Sequence, residues 1–201
     1  DEPVIIDKGR GWPIPTILSA MTQVLGEKPK IIATVRSIPD CMASFVRVAK
    51  PDDLDEFIYS GILSTHLKAA YMAIQSGYDF APECFCIVEY EDLVADPKAQ
   101  LDRIHEFLDL PDFEYDFTAI DGTSVQEDDE ELHGYEGMHN IQPVLAKQHN
   151  ENPKDVLKHH YATFCQPEFW LDKPRTTPEL HDLDLQLTAS KMGNFTEGWR
   201  L

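Results

Sequence analysis

Arg36 and Ser44, eight residues apart, are the residues whose types and spacing point most directly to chemistry. Arg36 closes the run Lys30-Ile31-Ile32-Ala33-Thr34-Val35-Arg36, and Ser44 lies in the segment that follows Ser37-Ile38-Pro39-Asp40. A guanidinium and a hydroxyl brought together are apt partners for a phosphate. Two more cations, Lys8 and Arg10, follow Val4-Ile5-Ile6 in the turn Asp7-Lys8-Gly9-Arg10-Gly11-Trp12. Taken alone, that pair reads as surface charge in a Gly-rich turn. Tyr90 and Glu91 follow a third apolar run, Cys84-Phe85-Cys86-Ile87-Val88-Glu89.

The elements around these residues explain how they could meet. Ile31 to Val35 is an apolar, β-branched run of strand length. Pro39 suits the first turn of a helix. Met42, Phe45, Val46 and Ala49 then repeat at helical spacing and form an apolar face, leaving Ser44 and Arg47 off it. Val4–Ile6 and Cys84–Glu89 read as two further strands. Each is followed by a helical pattern: Ile17, Leu18, Met21 and Leu25 before Gly26 in one case, and Leu101, Ile104 and Leu108 after Asp96-Pro97 in the other. A longer helix is expected from about Leu54 to Ser76, closed by Gly77. Three strand-to-helix units predict an α/β fold, a parallel sheet with helices on both faces. Polar groups then gather at the carboxyl ends of the strands, where such sheets bind ligands.

After Pro111 the pattern changes. Phe113, Tyr115 and Phe117 alternate with acidic residues and read as an extended packing segment. Residues 121–150 read as a loop. Asn152-Pro153-Lys154 opens another helix, with Val156, Leu157, Tyr161 and Phe164 apolar. His66 reads as an ordinary core or surface histidine. His159-His160 and Cys165 lack zinc spacing and read as structural residues, so no metal is expected. Cys41, Cys84, Cys86 and Cys165 show no disulfide spacing and read as free thiols.

The 201 residues fit one domain, with an α/β core over 1–110 and an acidic loop, helix and tail over 111–201. The formal net charge of −19 is uneven. Residues 1–50 hold seven basic and five acidic side chains, whereas 109–136 hold eleven acidic and no basic ones. Such a chain lacks the basic face that nucleic acid needs. An anionic small ligand would find its cations in the first third. No apolar run is long enough to span a membrane. Free thiols and the lack of a secretory leader pattern give a cytoplasmic expectation.

Two stretches resemble the sulfotransferases that use 3′-phosphoadenylyl sulfate (PAPS). Lys30 to Arg47, KIIATVRSIPDCMASFVR, is similar to that family's 3′-phosphate-binding strand and helix. Cys86 to Pro111, CIVEYEDLVADPKAQLDRIHEFLDLP, is similar to its segment of Tyr-Glu-Asp-Leu, Asp-Pro, helix and Phe-Leu-x-Leu-Pro. The Val4–Trp12 stretch is similar to the strand and turn that deliver a lysine to the sulfuryl group. The Ser190–Phe195 stretch is similar to a C-terminal loop that folds over the nucleotide. The resemblance implies a P-loop NTPase-like fold and sulfuryl transfer from PAPS to a hydroxyl or amine, releasing 3′-phosphoadenosine 5′-phosphate (PAP). It implies Arg36 and Ser44 as 3′-phosphate ligands, Tyr90 beside the adenine, Lys191 in the covering loop and Lys8 at the reacting group. The acceptor would be a small molecule, a glycan or a peptide. His133 and His139 are available as a general base.

One departure is plain. The family's phosphosulfate loop would precede Val4, so the expectation is an N-terminally incomplete sulfotransferase fold. Gly122-Thr123-Ser124 is the one similar tripeptide, and the acidic run Glu127 to Glu131 follows it. A kinase-like phosphate-binding domain shares the sheet, although the Gly-x-x-x-x-Gly-Lys-[Ser/Thr] signature is absent. A non-catalytic nucleotide-binding module is the other alternative.

Overall fold

Ile31–Val35 forms strand β1 and Phe85–Glu89 forms β2, paired in parallel from Ile31 opposite Phe85 to Val35 opposite Glu89. This computed structural model describes residues 6–59, 61–118, 120, 144–145 and 151–171, the side chains of 62–64 excepted. The chain divides into two compact units, 1–166 and 167–201.

Around the two strands the first unit runs α1 (Pro15–Leu25), β1, α2 (Ile38–Ala49), α3 (Leu54–Tyr59), α4 (Ile62–Phe80), β2, α5 (Tyr90–Ala95), α6 (Pro97–Leu108), α7 (Pro153–Leu157) and α8 (Tyr161–Phe164). The protein is thus mixed α/β with a small parallel sheet. Of the expected Val4–Ile6 strand, Val4 and Ile5 lie outside the described residues. Ile6 is described, is in no strand and is 88% exposed.

Local sequence sets the helix ends. Ser37 caps α2, its hydroxyl accepting from the Asp40 N–H at 3.3 Å. Asp96 caps α6 by accepting from the Ala99 N–H at 3.1 Å, with Pro97 at the first helical position. Asn152 does the same for α7, accepting from the Lys154 N–H at 3.0 Å. Gly26, at φ 77°, ends α1 in the left-handed conformation that glycine adopts without strain.

Two cores result. On one face of the sheet, Ala33 and Phe85 pack with Leu18 of α1, Ala81 and Cys84, and with Ile74 and Tyr78 of α4 beside them. Strand β2 is covered more fully than β1. Cys86 and Val88 are buried, whereas Ile32 and Thr34, opposite them in register, are exposed. The second core joins Ile38, Met42 and Ala43 of α2 to Ile58 of α3, Leu157 of α7 and Phe164 of α8. The apolar face expected of α2 is this contact, and its other side comes from the Asn152 segment, expected as one helix but found as two, α7 and α8, broken at Lys158. All four cysteines are free, with Cys84 and Cys86 buried.

The long helix expected from Leu54 to Ser76 is two helices, α3 and α4, with Gly61 as the N-cap of the second. Nor does Gly77 end it, since α4 continues to Phe80. Gly77 serves packing instead. A Cβ there would lie 2.1 Å from the Pro13 carbonyl oxygen and 2.8 Å from the Phe85 ring. Gly77→Ala gains about 1 kcal/mol of helix propensity but drives a methyl into backbone. Overpacking of this kind costs about 1–3 kcal/mol. The expected net outcome is a lower urea midpoint for Gly77→Ala. An unchanged or higher midpoint would show that α4 and the Pro13 segment do not meet this closely.

Candidate functional site

The strand register delivers the site. Because Val35 stands opposite Glu89, Arg36 and Tyr90 leave the sheet side by side at the carboxyl end. The Arg36 guanidinium carbon lies 4.3 Å from the centroid of the Tyr90 ring. Such stacking draws a cation to the electron-rich face of the ring. Arg36 Nε donates to Glu91 Oε1 at 3.2 Å. A terminal nitrogen of Arg36 faces Asp40 Oδ1 at 3.8 Å, an ion-pair distance too long for a hydrogen bond. The side chains of Arg36 and Glu91 are 18% and 22% exposed, so this pair is only weakly screened.

Arg36 is thus held on one edge and open on another. Glu91 takes the Nε side, and among the described residues the terminal nitrogens make no hydrogen bond. Those nitrogens form the edge that can grip an anion with two parallel bonds. Ser37, which caps α2, also hydrogen-bonds Asp40 through its hydroxyl. Glu91 Oε2 is buried with no hydrogen-bond partner among the described residues. It leaves an acceptor open beside the guanidinium, where a water or a ligand donor fits.

Ser44 is half-buried on α2. Seven residues separate it from Ser37, two turns of helix, so the two share a face about 10 Å apart along the axis. Ser44 therefore stands on the side of α2 that begins at the Arg36 turn. The N-terminus of this 12-residue helix opens beside Arg36 and adds a partial positive charge.

Lys8 is exposed on the loop that leads to α1, and no hydrogen bond or ion pair joins it to the Arg36 cluster. That loop is closed by the Trp12 indole N–H, which donates to Asp7 Oδ2 at 2.6 Å. Trp12 folds against Gly9, where a Cβ would meet its ring nitrogen at 2.7 Å. Lys191, His133, His139 and Gly122–Ser124 lie outside the described residues. The Phe113–Phe117 segment, expected to pack, instead leaves Phe113 and Tyr115 exposed, their rings in contact along the segment, while His105 bridges the Pro111 carbonyl at 2.6 Å and the Tyr115 hydroxyl at 2.7 Å. Beside it, His105, Leu110, Pro111, Asp112, Phe113 and Tyr115 line an open groove of about 400 Å³.

Residues 18–115 match the family model described as "Sulfotransferase family". This part of the chain belongs to the sulfotransferase family. The matched residues carry Arg36, Ser44, Tyr90 and Glu91, together with both strands, and the chemistry of the family is sulfuryl transfer. Lys8 and Lys191 fall outside the match. Comparisons with curated proteins and with solved structures give no match.

The sequence reading placed Arg36 without its carboxylate partners. Asp40 was visible as an acidic residue in the first turn of α2, but Arg36 precedes the Ser37 N-cap, so helical spacing does not pair them. Glu91 was visible as a polar residue at a strand end, but only the strand register aligns it with Arg36.

Cys41 reports on the Arg36 cluster. Burial pushes its thiol up to about 11, with the nearby Arg36 guanidinium pulling the other way. Its sulfur lies 4.0 Å from the Arg36 carbonyl oxygen. At pH 8 only about one thiol in a thousand would then be thiolate, the reactive form. Cys41 should be alkylated by iodoacetamide about two orders of magnitude more slowly than a free cysteine, and faster as pH rises toward 11. Peptide mass spectrometry of the labelled protein reads this out. Labelling at the free-cysteine rate at pH 8 would mean that the α2 face is open to solvent.

Proposed function

We propose that this chain binds the nucleotide of PAPS at the carboxyl end of β1 and transfers its sulfuryl group to a hydroxyl or amine acceptor. The observation that carries the reading is Arg36, stacked on Tyr90 and anchored through Nε by Glu91, with its terminal nitrogens free of hydrogen bonds among the described residues. The donor supplies the transferable group: an acceptor attacks sulfur in line and PAP leaves.

In this reading the terminal guanidinium nitrogens of Arg36 take the 3′-phosphate. Asp40, whose contact is the longer of the two, yields to it, and Glu91 keeps the guanidinium plane fixed. Ser44 donates its hydroxyl to the same phosphate from α2. Tyr90 has one ring face on Arg36 and shapes the wall of the adenine pocket. Lys8 places its ammonium by the reacting sulfuryl group, where negative charge grows in the transition state. A cation fixed there lowers the barrier more than it strengthens ground-state binding.

Arg36→Ala should weaken PAP by about ten- to a hundredfold, the loss of a charge-assisted contact worth about 1.5–3 kcal/mol. ADP lacks the 3′-phosphate. It should bind the parent worse than PAP does, and bind parent and variant similarly. Ser44→Ala should shift PAP the same way by a smaller factor. Calorimetric titration of both ligands against all three proteins tests this. Equal losses for PAP and ADP would instead support a kinase-like phosphate site.

In a preparation that turns over PAPS, Lys8→Ala should lower kcat far more than it raises the Kd for PAP. A variant that binds PAP poorly yet keeps its kcat would remove Lys8 from the reacting centre.

A further inference from the structure

A second cluster of chemistry-bearing side chains joins α3 to the turn Lys158–His160 between α7 and α8. Asp55 Oδ1 lies 2.6 Å from His160 Nε2 and 3.3 Å from His159 Nε2. Consecutive residues in a helix or strand point their side chains apart. Here two consecutive imidazoles face one carboxylate oxygen, with ring centroids 3.9 Å apart.

The backbone is bent to achieve this. Lys158 has φ 52° and ψ −127°, a strained conformation for a residue with a side chain. It interrupts the helical path from α7 to α8 and turns both histidines toward α3. His160 is 1% exposed and is held edge-on by the Tyr59 ring at 5.3 Å. The hydrogen bond with His160 keeps the Asp55 carboxyl below its usual range, so the carboxylate form is favoured.

We propose that Asp55, His159 and His160 bind a divalent transition-metal ion, Zn²⁺ by donor set, as a clip between α3 and the Lys158–His160 turn. The three ligand atoms all lie within 4.8 Å of one another. Zinc bonds of about 2.0–2.2 Å in tetrahedral geometry set ligand atoms about 3.3 Å apart. The pair at 3.3 Å already meets that spacing, and the pair at 2.6 Å opens by a small movement of the exposed Asp55 side chain. Two imidazoles and one carboxylate suit zinc, whereas Mg²⁺ and Ca²⁺ require more oxygen ligands. The side chains of Asp55 and His159 are 61% and 67% exposed, so the ion can enter from solvent and keep water in its fourth position. On binding, each imidazole turns its Nε2 lone pair to the metal and carries its proton on Nδ1, and the His160–Asp55 hydrogen bond is exchanged for metal–ligand bonds.

The test is calorimetric titration of untagged, chelator-stripped protein with Zn²⁺ and, separately, Mg²⁺. One Zn²⁺ should bind saturably and raise the thermal midpoint, while Mg²⁺ does neither. His159→Ala and Asp55→Asn change exposed side chains and should each weaken Zn²⁺ at least tenfold. His159→Gln and the far-UV circular dichroism of each variant separate ligand loss from misfolding. Co²⁺-loaded protein should show the visible bands of a nitrogen- and oxygen-ligated ion and no thiolate charge-transfer band. A thiolate band, the absence of saturable binding, or parental affinity in the folded variants would overturn the assignment. Each readout is independent of sulfuryl transfer, so the proposal stands or falls apart from the nucleotide site.

Discussion

The five-residue parallel pairing of β1 with β2 is the constraint on which the site depends. Side chains alternate along a strand, so slipping the pairing by one residue would turn one strand's side chains to the opposite face. In the observed register Arg36 follows Val35 as Tyr90 follows Glu89, and both residues leave the sheet together. The guanidinium then has the Tyr90 ring on its face and Glu91 on its Nε edge. Removing either neighbour would leave a long, flexible cation at the mouth of a turn. With both present, Arg36 is fixed before any ligand arrives, which lowers the ordering cost of binding.

The second core keeps the other half of the site in place. Helix α2 buries Ile38, Met42 and Ala43 against α3, α7 and α8. Its opposite side carries Ser37, Asp40, Cys41 and Ser44, of which Asp40 and Cys41 meet Arg36. The α7–α8 segment thus supports α2 from behind, although it lies far from Arg36 in the sequence and outside the family match. The Asp55–His159–His160 cluster joins the same layers at the edge of this core, and a metal bound there would tighten the contact between α3 and the turn that leads into α8.

Much of this was legible from local pattern. The β-branched run before Arg36, Pro39, the apolar spacing of α2, and the Asp96-Pro97 and Asn152-Pro153 signals each act within a few residues, and each marks an element found in the structure. Gly61 and Gly77 show where local pattern stops. Helical spacing runs through Gly61 without a break, yet α4 begins there. Gly77 has the look of a helix end, but its role is to admit the Pro13 carbonyl, a contact from a distant part of the chain. The site divides in the same way. Residue type and strand position pointed to Arg36 and Ser44. The Glu91 anchor needed the register, and the histidine cluster needed Asp55, which lies 105 residues from His160 and leaves no spacing to read.

The central claim is that Arg36, fixed by Glu91 and Tyr90, is the 3′-phosphate ligand of a sulfotransferase. A crystal structure of the protein with PAP tests it most directly. The account predicts the 3′-phosphate against the terminal nitrogens of Arg36 and within hydrogen-bond reach of the Ser44 hydroxyl, with Asp40 released and Glu91 still on Nε. PAP bound elsewhere on the chain, or bound with its 3′-phosphate out of reach of Arg36, would contradict it.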